Sequence, residues 1–421
     1  CFMIKLGVIA DDFTGATDIA SFLVKNGLST IQLTEVDESL KAPLGVDAIV
    51  ISGKTRSCDK DLAVRESLKA LHWLKAQGCE RFYFKYCSTF DSTAKGNIGP
   101  VTDALMKELN VDFTIISPAL PVNGRTVYKG YLFVNNVLLN ESGMANHPIT
   151  PMKDSSIIRL MQMQSQGKCA SIDLDILKKD PKEILDYVDE LKRKGYSYAC
   201  VDAIDETDLI KQGKVFCNFK LVTGGSGLAI GLAQALTDGD NTDTYDKGRP
   251  CGKYSVCLSG SCSVMTNKQV AKYKEKAPSY EADVEGILEG KEEICLQNAL
   301  DFALSHKDCE LAPLVYATAN IDKLRSIQER FGSEKSSKAV ENFFASLAAK
   351  LKEHGFERFI VAGGETSGIV TKSLGVKGFY IGPSVAPGVP WVRSINSPIS
   401  LVLKSGNFGN EDFFCVAQKE Y

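Results

Sequence analysis

Asp11 and Asp12 stand side by side directly after the short apolar run Leu6-Gly7-Val8-Ile9, within the string Ala10-Asp11-Asp12-Phe13-Thr14-Gly15-Ala16-Thr17-Asp18. This order reads as a buried strand, two adjacent carboxylates, then a threonine and a glycine opening a helix. Neighbouring carboxylates repel each other, and a strand end holds them rigidly at the rim of a sheet, where ligands of open α/β sheets sit. Such a pair can take a proton from a hydroxyl or fix a polar ligand. The competing reading is a helix cap made by Asp12 or Thr14.

A second set follows two later strand patterns. The run from Lys85 through Ser88, Thr89 and Asp91 to Gly99 leaves one strand, and Asn123-Gly124-Arg125-Thr126 follows another. A lysine, a guanidinium and several hydroxyls suit a small, anionic, hydroxylated ligand, since an arginine engages a carboxylate with two parallel bonds. Taken singly, each is a surface cation or a turn residue; together with Asp11 and Asp12 they outline a polar pocket of acid-sugar size.

The C-terminal half carries three turns of another kind: Leu258-Ser259-Gly260-Ser261-Cys262-Ser263, Val361-Ala362-Gly363-Gly364-Glu365-Thr366-Ser367-Gly368 and Lys404-Ser405-Gly406-Asn407-Phe408-Gly409. Free N–H groups at a helix start, with glycines allowing close approach and hydroxyls adding donors, make an anion site. Three in one domain point to a polyphosphate, as in a nucleotide. The usual fingerprints are absent. Gly53-Lys54-Thr55 has Ala48 where a phosphate-binding loop needs its first glycine. The run Thr223-Gly224-Gly225-Ser226-Gly227 up to Gly231 nearly matches a dinucleotide turn but lacks the acidic strand end about 20 residues on, and reads mainly as close helix–sheet packing.

The elements that must position these groups alternate. Strands are expected at 5–10, 30–33, 48–52, 81–86, 113–117, 197–203 and 219–223, with helices at 14–25, 60–75, 100–109, 181–194 and 227–236. After the polar stretch 237–250 the pattern restarts, with strands at 254–258, 313–317, 358–362 and 378–381 and helices at 264–274, 291–305 and 337–354. The Asn-, Pro- and Gly-rich segment 131–152 reads as a long ordered excursion beside the site. Alternation at this spacing argues for α/β architecture: two domains, each a mostly parallel sheet flanked by helices, with an interdomain cleft. The expected division is 1–240, a linker at 241–252, and 253–421.

Bulk properties narrow the field. At 421 residues, two domains are the default. The net charge of −3 and the lack of Lys/Arg clusters give no nucleic-acid footprint. No apolar stretch reaches membrane-spanning length, and no signal-peptide pattern opens the chain, with Met3 expected as its natural start. Thirteen cysteines, odd in number and without a Cys-x-x-Cys, together with four histidines lacking metal spacing, suggest free thiols in a reducing cytoplasm.

The motifs quoted above, with Lys85-x-x-Ser88-Thr89 and Pro387-Gly388-Val389-Pro390 added, resemble in order those of the four-carbon acid sugar kinase family. The resemblance runs from residue 8 to residue 415. It implies an acid sugar on the N-terminal domain and ATP on the C-terminal one. Threonate and erythronate kinases of the family tend to have Asp, Arg and Gly where this chain has Cys87, Asp91 and Ser92. That difference, with Gly96-Asn97-Ile98-Gly99-Pro100, resembles the 3-oxo-tetronate branch.

The implied reaction is ATP-dependent phosphorylation of the C4 hydroxyl. Asp12 is expected as the base, with Asp11 its alternate. Lys85, Ser88, Thr89, Asp91 and Arg125 would bind substrate. Ser259, Ser261, Gly363, Gly364, Glu365, Thr366 and Gly406 would bind ATP, with Mg²⁺ bridging its phosphates and its protein ligands open. The implied partners are a small acid sugar and ATP, with no nucleic acid or membrane and a homodimer left open. D-threonate, L-threonate and D-erythronate are the alternative substrates. An NADP-dependent hydroxy-acid oxidoreductase built on the Gly225–Gly231 turn and a non-catalytic sensor are the rival functions.

Overall fold

The computed structural model describes residues 4–146, 150–237 and 244–419. The chain divides into two compact units, Cys1–Thr244 and Tyr245–Tyr421. Part of the expected linker, residues 241–243, lies outside the described residues.

The first unit holds strands β1 (Leu6–Ala10), β2 (Thr30–Leu33), β3 (Ala48–Ser52), β4 (Phe82–Lys85), β5 (Thr114–Ser117), β6 (Arg125–Tyr128), β7 (Tyr131–Val134), β8 (Val137–Leu138), β9 (Lys168–Ile172), β10 (Tyr196–Val201) and β11 (Leu221–Gly224). Eight of them form a wholly parallel sheet in the order β2-β3-β1-β4-β11-β5-β10-β9. Every residue of β1 to β5 and of β11 is buried. This is why these strands read as unbroken apolar runs: helices cover both faces of a parallel sheet. The chain leaves β1 toward β2 on one side and β4 toward β5 on the other. Their adjacent C-terminal ends therefore form a topological switch point, where such sheets open a crevice.

The segment 131–152 carries β7 and β8, which join β6 in a small antiparallel sheet; residues 147–149 of it lie outside the described residues. The helices Ile157–Gln164 and Glu206–Phe216 and the strand β9 were not expected. The Gly224–Gly231 run is a packing device. A Cβ on Gly213 would lie 1.9 Å from the carbonyl carbon of Gly231, and one on Gly231 would lie 2.1 Å from the carbonyl oxygen of Leu209. Helices Glu206–Phe216 and Leu228–Leu236 cross at these glycines, which removes the basis of the dinucleotide reading.

The second unit has β12 (Tyr254–Ser259), β13 (Ser279–Glu281), β14 (Leu314–Tyr316), β15 (Phe356–Ala362), β16 (Gly378–Ala386), β17 (Val389–Ser394) and β18 (Ser400–Lys404). Their order is β13-β14-β12-β15-β18-β17-β16, parallel through β18 and antiparallel at β17 and β16. The helix Val264–Lys274 matches expectation, whereas β13, β17 and β18 were missed. Trp391, Phe413, Phe414 and Tyr273 anchor the core beneath the β12–β15–β18 face. Here too the chain leaves β12 toward one edge and β15 toward the other, giving a second switch point at adjacent strand ends.

Candidate active site

Register places the functional turns of the first unit side by side. Ala10 pairs with both Ser52 and Lys85, and Lys85 with Gly224, so the loops after β1, β3, β4 and β11 leave one end of the sheet together. The loop after β3 is tied down by backbone bonds: Thr55 and Arg56 N–H donate to the Asp11 carbonyl at 2.9 and 3.2 Å. Buried Asn97 donates to the carbonyls of Thr55 and Cys58 at 2.8 and 2.9 Å.

Arg56 is thereby aimed at the aspartates. Its Nε and Nη2 donate to the two Asp11 oxygens at 2.8 Å each, and Nη2 also donates to Asp12 Oδ1 at 2.7 Å. Asp12 Oδ1 further accepts the Gly15 N–H at 3.0 Å and lies 3.7 Å from the Lys85 ammonium. Asp12 thus caps helix Phe13–Lys25, the competing reading of this residue, and is in addition an ion-pair partner of Arg56 and Lys85. Its Oδ1 carries all three of these contacts; among the described residues Oδ2 has none, and the side chain is 28% exposed.

Asp11 is occupied at both oxygens and almost fully buried; burial raises its pKa above the ordinary carboxylate value even with Arg56 and Lys85 pulling it down. Burial opposes the charge of Arg56, yet the bond to Asp11 raises its pKa overall. Lys85 itself is 4% exposed. A Cβ on Gly15 would fall 1.9 Å from its Nζ, so the glycine of the first motif makes room for the lysine of the second.

Asp18, six residues beyond Asp12 in the same helix, is raised by burial, with Lys85, the Ser226 hydroxyl and Arg125 drawing it back down. Arg125, on β6, donates from Nη1 to the Asn123 carbonyl at 2.5 Å, while its Nε is buried with no partner among the described residues. In the second motif Thr89 Oγ1 donates to Asp91 at 2.6 Å and lies 2.9 Å from the Cys87 thiol. Burial, then Asp91, pushes that thiol up to about 11, so it is no nucleophile. Between them Phe90 is buried at φ +49°, left-handed backbone that a bulky residue rarely adopts and that marks a constrained turn. Ser88 packs its Cα 3.3 Å from where a Cβ on Gly225 would stand.

The structure therefore gathers Asp11, Asp12, Lys85, Ser88 and Arg125 around one strand-end region and adds Arg56, Asp18 and Ser226, which sequence reasoning missed. Asp18 lay inside the quoted motif. Arg56 followed the Gly53-Lys54-Thr55 turn that was weighed only as a phosphate loop.

In the second unit Ser259, Ala362 and Lys404 are in register at the ends of β12, β15 and β18, which brings the three glycine turns to one place. Cβ atoms built on Gly363 and Gly406 would stand 3.3 Å from Ser261 N and 2.8 Å from Ser261 Oγ, and one on Gly260 2.3 Å from Thr366 Oγ1. Gly363 takes φ +126°, which only glycine accepts readily, and so starts the helix Gly364–Ser373 with its N–H groups open to the turn. The Ser259 side chain is fully buried, its hydroxyl 2.7 Å from Thr318 Oγ1.

A cavity of about 300 Å³ opens here, floored by the Gly260–Cys262 and Gly363–Thr366 turns and walled by Val284, Leu324, Ile327 and Val340. A polar end and an apolar wall at the lower end of ligand-site volumes suit a nucleoside with phosphates. Lys404 lies behind the third turn, and burial pushes its ammonium down to about 8.

Two parallel α/β units, one with a charged polar cluster and one with converging glycine turns, define a protein that pairs a polar-ligand site with a phosphate site. Comparison with known proteins agrees. Residues 6–232 match the model of a sugar-binding N-terminal domain, and residues 256–414 that of a nucleotide-binding C-terminal domain. A 3-oxo-tetronate kinase of Pectobacterium atrosepticum is 55% identical, and one of Salmonella typhimurium 54%, each aligned over all of both chains. A Salmonella typhimurium crystal structure, provisionally described as that of a tRNA synthase, superposes with a TM-score of 0.94 at 55% identity over all of both chains. The chain belongs to the four-carbon acid sugar kinase family, among its 3-oxo-tetronate kinases.

Proposed function

We propose that this protein transfers the γ-phosphoryl group of ATP to the 4-hydroxyl of 3-oxo-tetronate, giving 3-oxo-tetronate 4-phosphate and ADP. The observation that carries the reading is the division of labour between the units: a charged, hydroxyl-rich cluster at one sheet's switch point and three convergent glycine turns at the other's.

The sugar acid would lie at the ends of β1 and β4, its carboxylate drawn by Arg125 and its oxygens by Lys85 and Ser88. Asp12 would take the hydroxyl proton through Oδ2, while Asp11 stays locked to Arg56. As the C4 oxygen bonds to the γ-phosphorus, the bond to the bridging oxygen of ADP breaks, and the proton passes to Asp12. Little covalent work falls to the protein; positioning and charge neutralisation supply most of the acceleration. Ser261, Gly363, Gly364, Thr366 and Gly406 would hold the phosphates, with the base against Val284, Ile327 and Val340.

Among the described residues no three His, Cys, Asp or Glu side chains converge as a cation cage. Mg²⁺ commonly rides on nucleotide phosphates with most of its waters, and the exposed Glu365 in the first turn of helix Gly364–Ser373 fits a water-mediated partner for it. When bound, the ion would offset phosphate charge. The division at 1–240 and 253–421, the homodimer and the cytoplasmic site carry forward as parts of this proposal. Twelve free thiols among the described residues support a reducing compartment, and no described helix is long and apolar enough to cross a membrane.

A coupled ADP-release assay over 3-oxo-tetronate, D-threonate, L-threonate and D-erythronate tests the reading. The 3-oxo acid is expected to give the highest kcat/KM. Turnover of a threonate or erythronate alone would reassign the substrate, and no ADP with any acid would end the kinase proposal.

A further inference from the structure

Lys404 is a cation in the wrong surroundings. Its side chain ends β18 at 1% exposure, and its Nζ donates to Thr266 Oγ1 and the Gly406 carbonyl at 2.9 Å each and to the Ser405 carbonyl at 3.2 Å. Phe413 lies 5.6 Å away, ring face toward the ammonium. Among the described residues no carboxylate pairs with it. The acids on the elements packed around it are engaged or turned to solvent: Glu411 lies 3.4 Å from Lys268, Asp412 3.0 Å from Lys272, and Glu365 is exposed.

Buried charges are almost always paired, because desolvation of a lone ion costs far more than neutral hydrogen bonds return. The turn that Lys404 braces is the one whose Gly406 abuts Ser261, and a Cβ on Gly364 would stand 3.9 Å from Ser405 Oγ. The missing counter-charge thus belongs on the far side of that turn.

We propose that Lys404 is a positioning residue for the nucleotide: its ammonium is left without a carboxylate so that the phosphates provide the balancing charge across the Ser405–Gly406 turn, and binding of the nucleotide is coupled to uptake of a proton. The inference rests on the nucleotide reading of this site. Burial has already pushed Lys404 down to about 8, so near that pH the free protein is partly neutral there, and an arriving anion favours the charged form. Thr266 Oγ1 donates in turn to the Gly406 carbonyl at 2.7 Å, so the charge state of Lys404 and the shape of the turn are linked.

Isothermal titration calorimetry with Mg·ADP at pH 8, in buffers of different ionisation enthalpy, reads the proton count directly. Uptake of a fraction of a proton per nucleotide is expected for a group only partly charged before binding. Lys404→Arg, which stays charged, should still bind Mg·ADP with uptake reduced to near zero. Lys404→Met should weaken binding about tenfold or more, as loss of a charge-assisted partner does. Binding by the native protein without proton uptake, or uptake undiminished in Lys404→Arg, overturns the assignment; the native measurement decides even where a variant fails to fold. If the native protein binds the sugar acid but not Mg·ADP, the nucleotide reading falls and takes this inference with it.

Discussion

The two units solve ligand binding with the same topology and opposite chemistry. Each sets its turns at the C-terminal ends of adjacent parallel strands where the chain departs in both directions. In the first unit the turns carry side-chain charge that is already cross-paired: Asp11 and Asp12 against Arg56 and Lys85. In the second, the turns offer backbone N–H groups and hydroxyls, and the buried Lys404 ammonium behind them has no carboxylate partner among the described residues. A self-neutralised cluster is suited to hold a reactive carboxylate in fixed geometry while a small acid comes and goes. An unmatched positive site is suited to a ligand that brings several negative charges. The difference follows from what each ligand supplies.

Substitutions can break this contrast from either side. The largest effect is expected from Asp12→Asn, which keeps the helix cap but removes the basic oxygen: turnover should fall roughly 100-fold or more with nucleotide affinity unchanged, by steady-state kinetics and calorimetry. Near-normal turnover would take Asp12 out of the mechanism. Arg56→Ala leaves Asp11 buried without its partner. Denaturant unfolding should show a loss of about 2 kcal/mol, below the range for fully buried pairs because Arg56 is partly exposed. An unchanged midpoint would mean that the first unit does not depend on its cross-pairing.

Gly364→Val acts on the other side: nucleotide binding should weaken about tenfold, or 1.4 kcal/mol, while sugar-acid affinity holds. Equal losses for both ligands would erase the division of labour. A pH dependence separates the two sites. The Lys404 pKa is lowered from 10.5 to about 8 on folding, so between those values the unfolded chain binds the extra proton. Native stability measured against Lys404→Met should therefore climb with pH above 8, by at most about 1.4 kcal/mol per unit, and flatten above 10.5. A difference that is flat across this window would show the amine to be normally solvated.

Much of the layout was legible because local rules enforced it. The run from Leu6 to Ala10 is apolar throughout since a central parallel strand is buried on both faces, and a strand followed by Asp12 and Gly15 could only turn into a helix. Strand β2 and the helix Val264–Lys274 fell on their expected bounds for similar reasons. What escaped was set by distance along the chain. Arg56 reaches Asp11 across 45 residues, and nothing in the Gly53-Lys54-Thr55 turn announces that β3 lies beside β1. Strands β17 and β18 were missed because their signal is pairing with each other and with β15.

By itself the sequence determined the chemical inventory: which residue types stand at strand ends, with acids and cations after those of the first half and glycine turns after those of the second, and that the motifs follow one family's order. Tertiary structure alone decided the roles within that inventory. It locked Asp11 to Arg56 and left one oxygen of Asp12 open, turned the Ser259 hydroxyl inward, and buried Lys404 with no carboxylate partner among the described residues. The physical reason is that ionisation and reach depend on which charges and carbonyls lie within a few ångströms, and only the register of parallel strands brings those neighbours together.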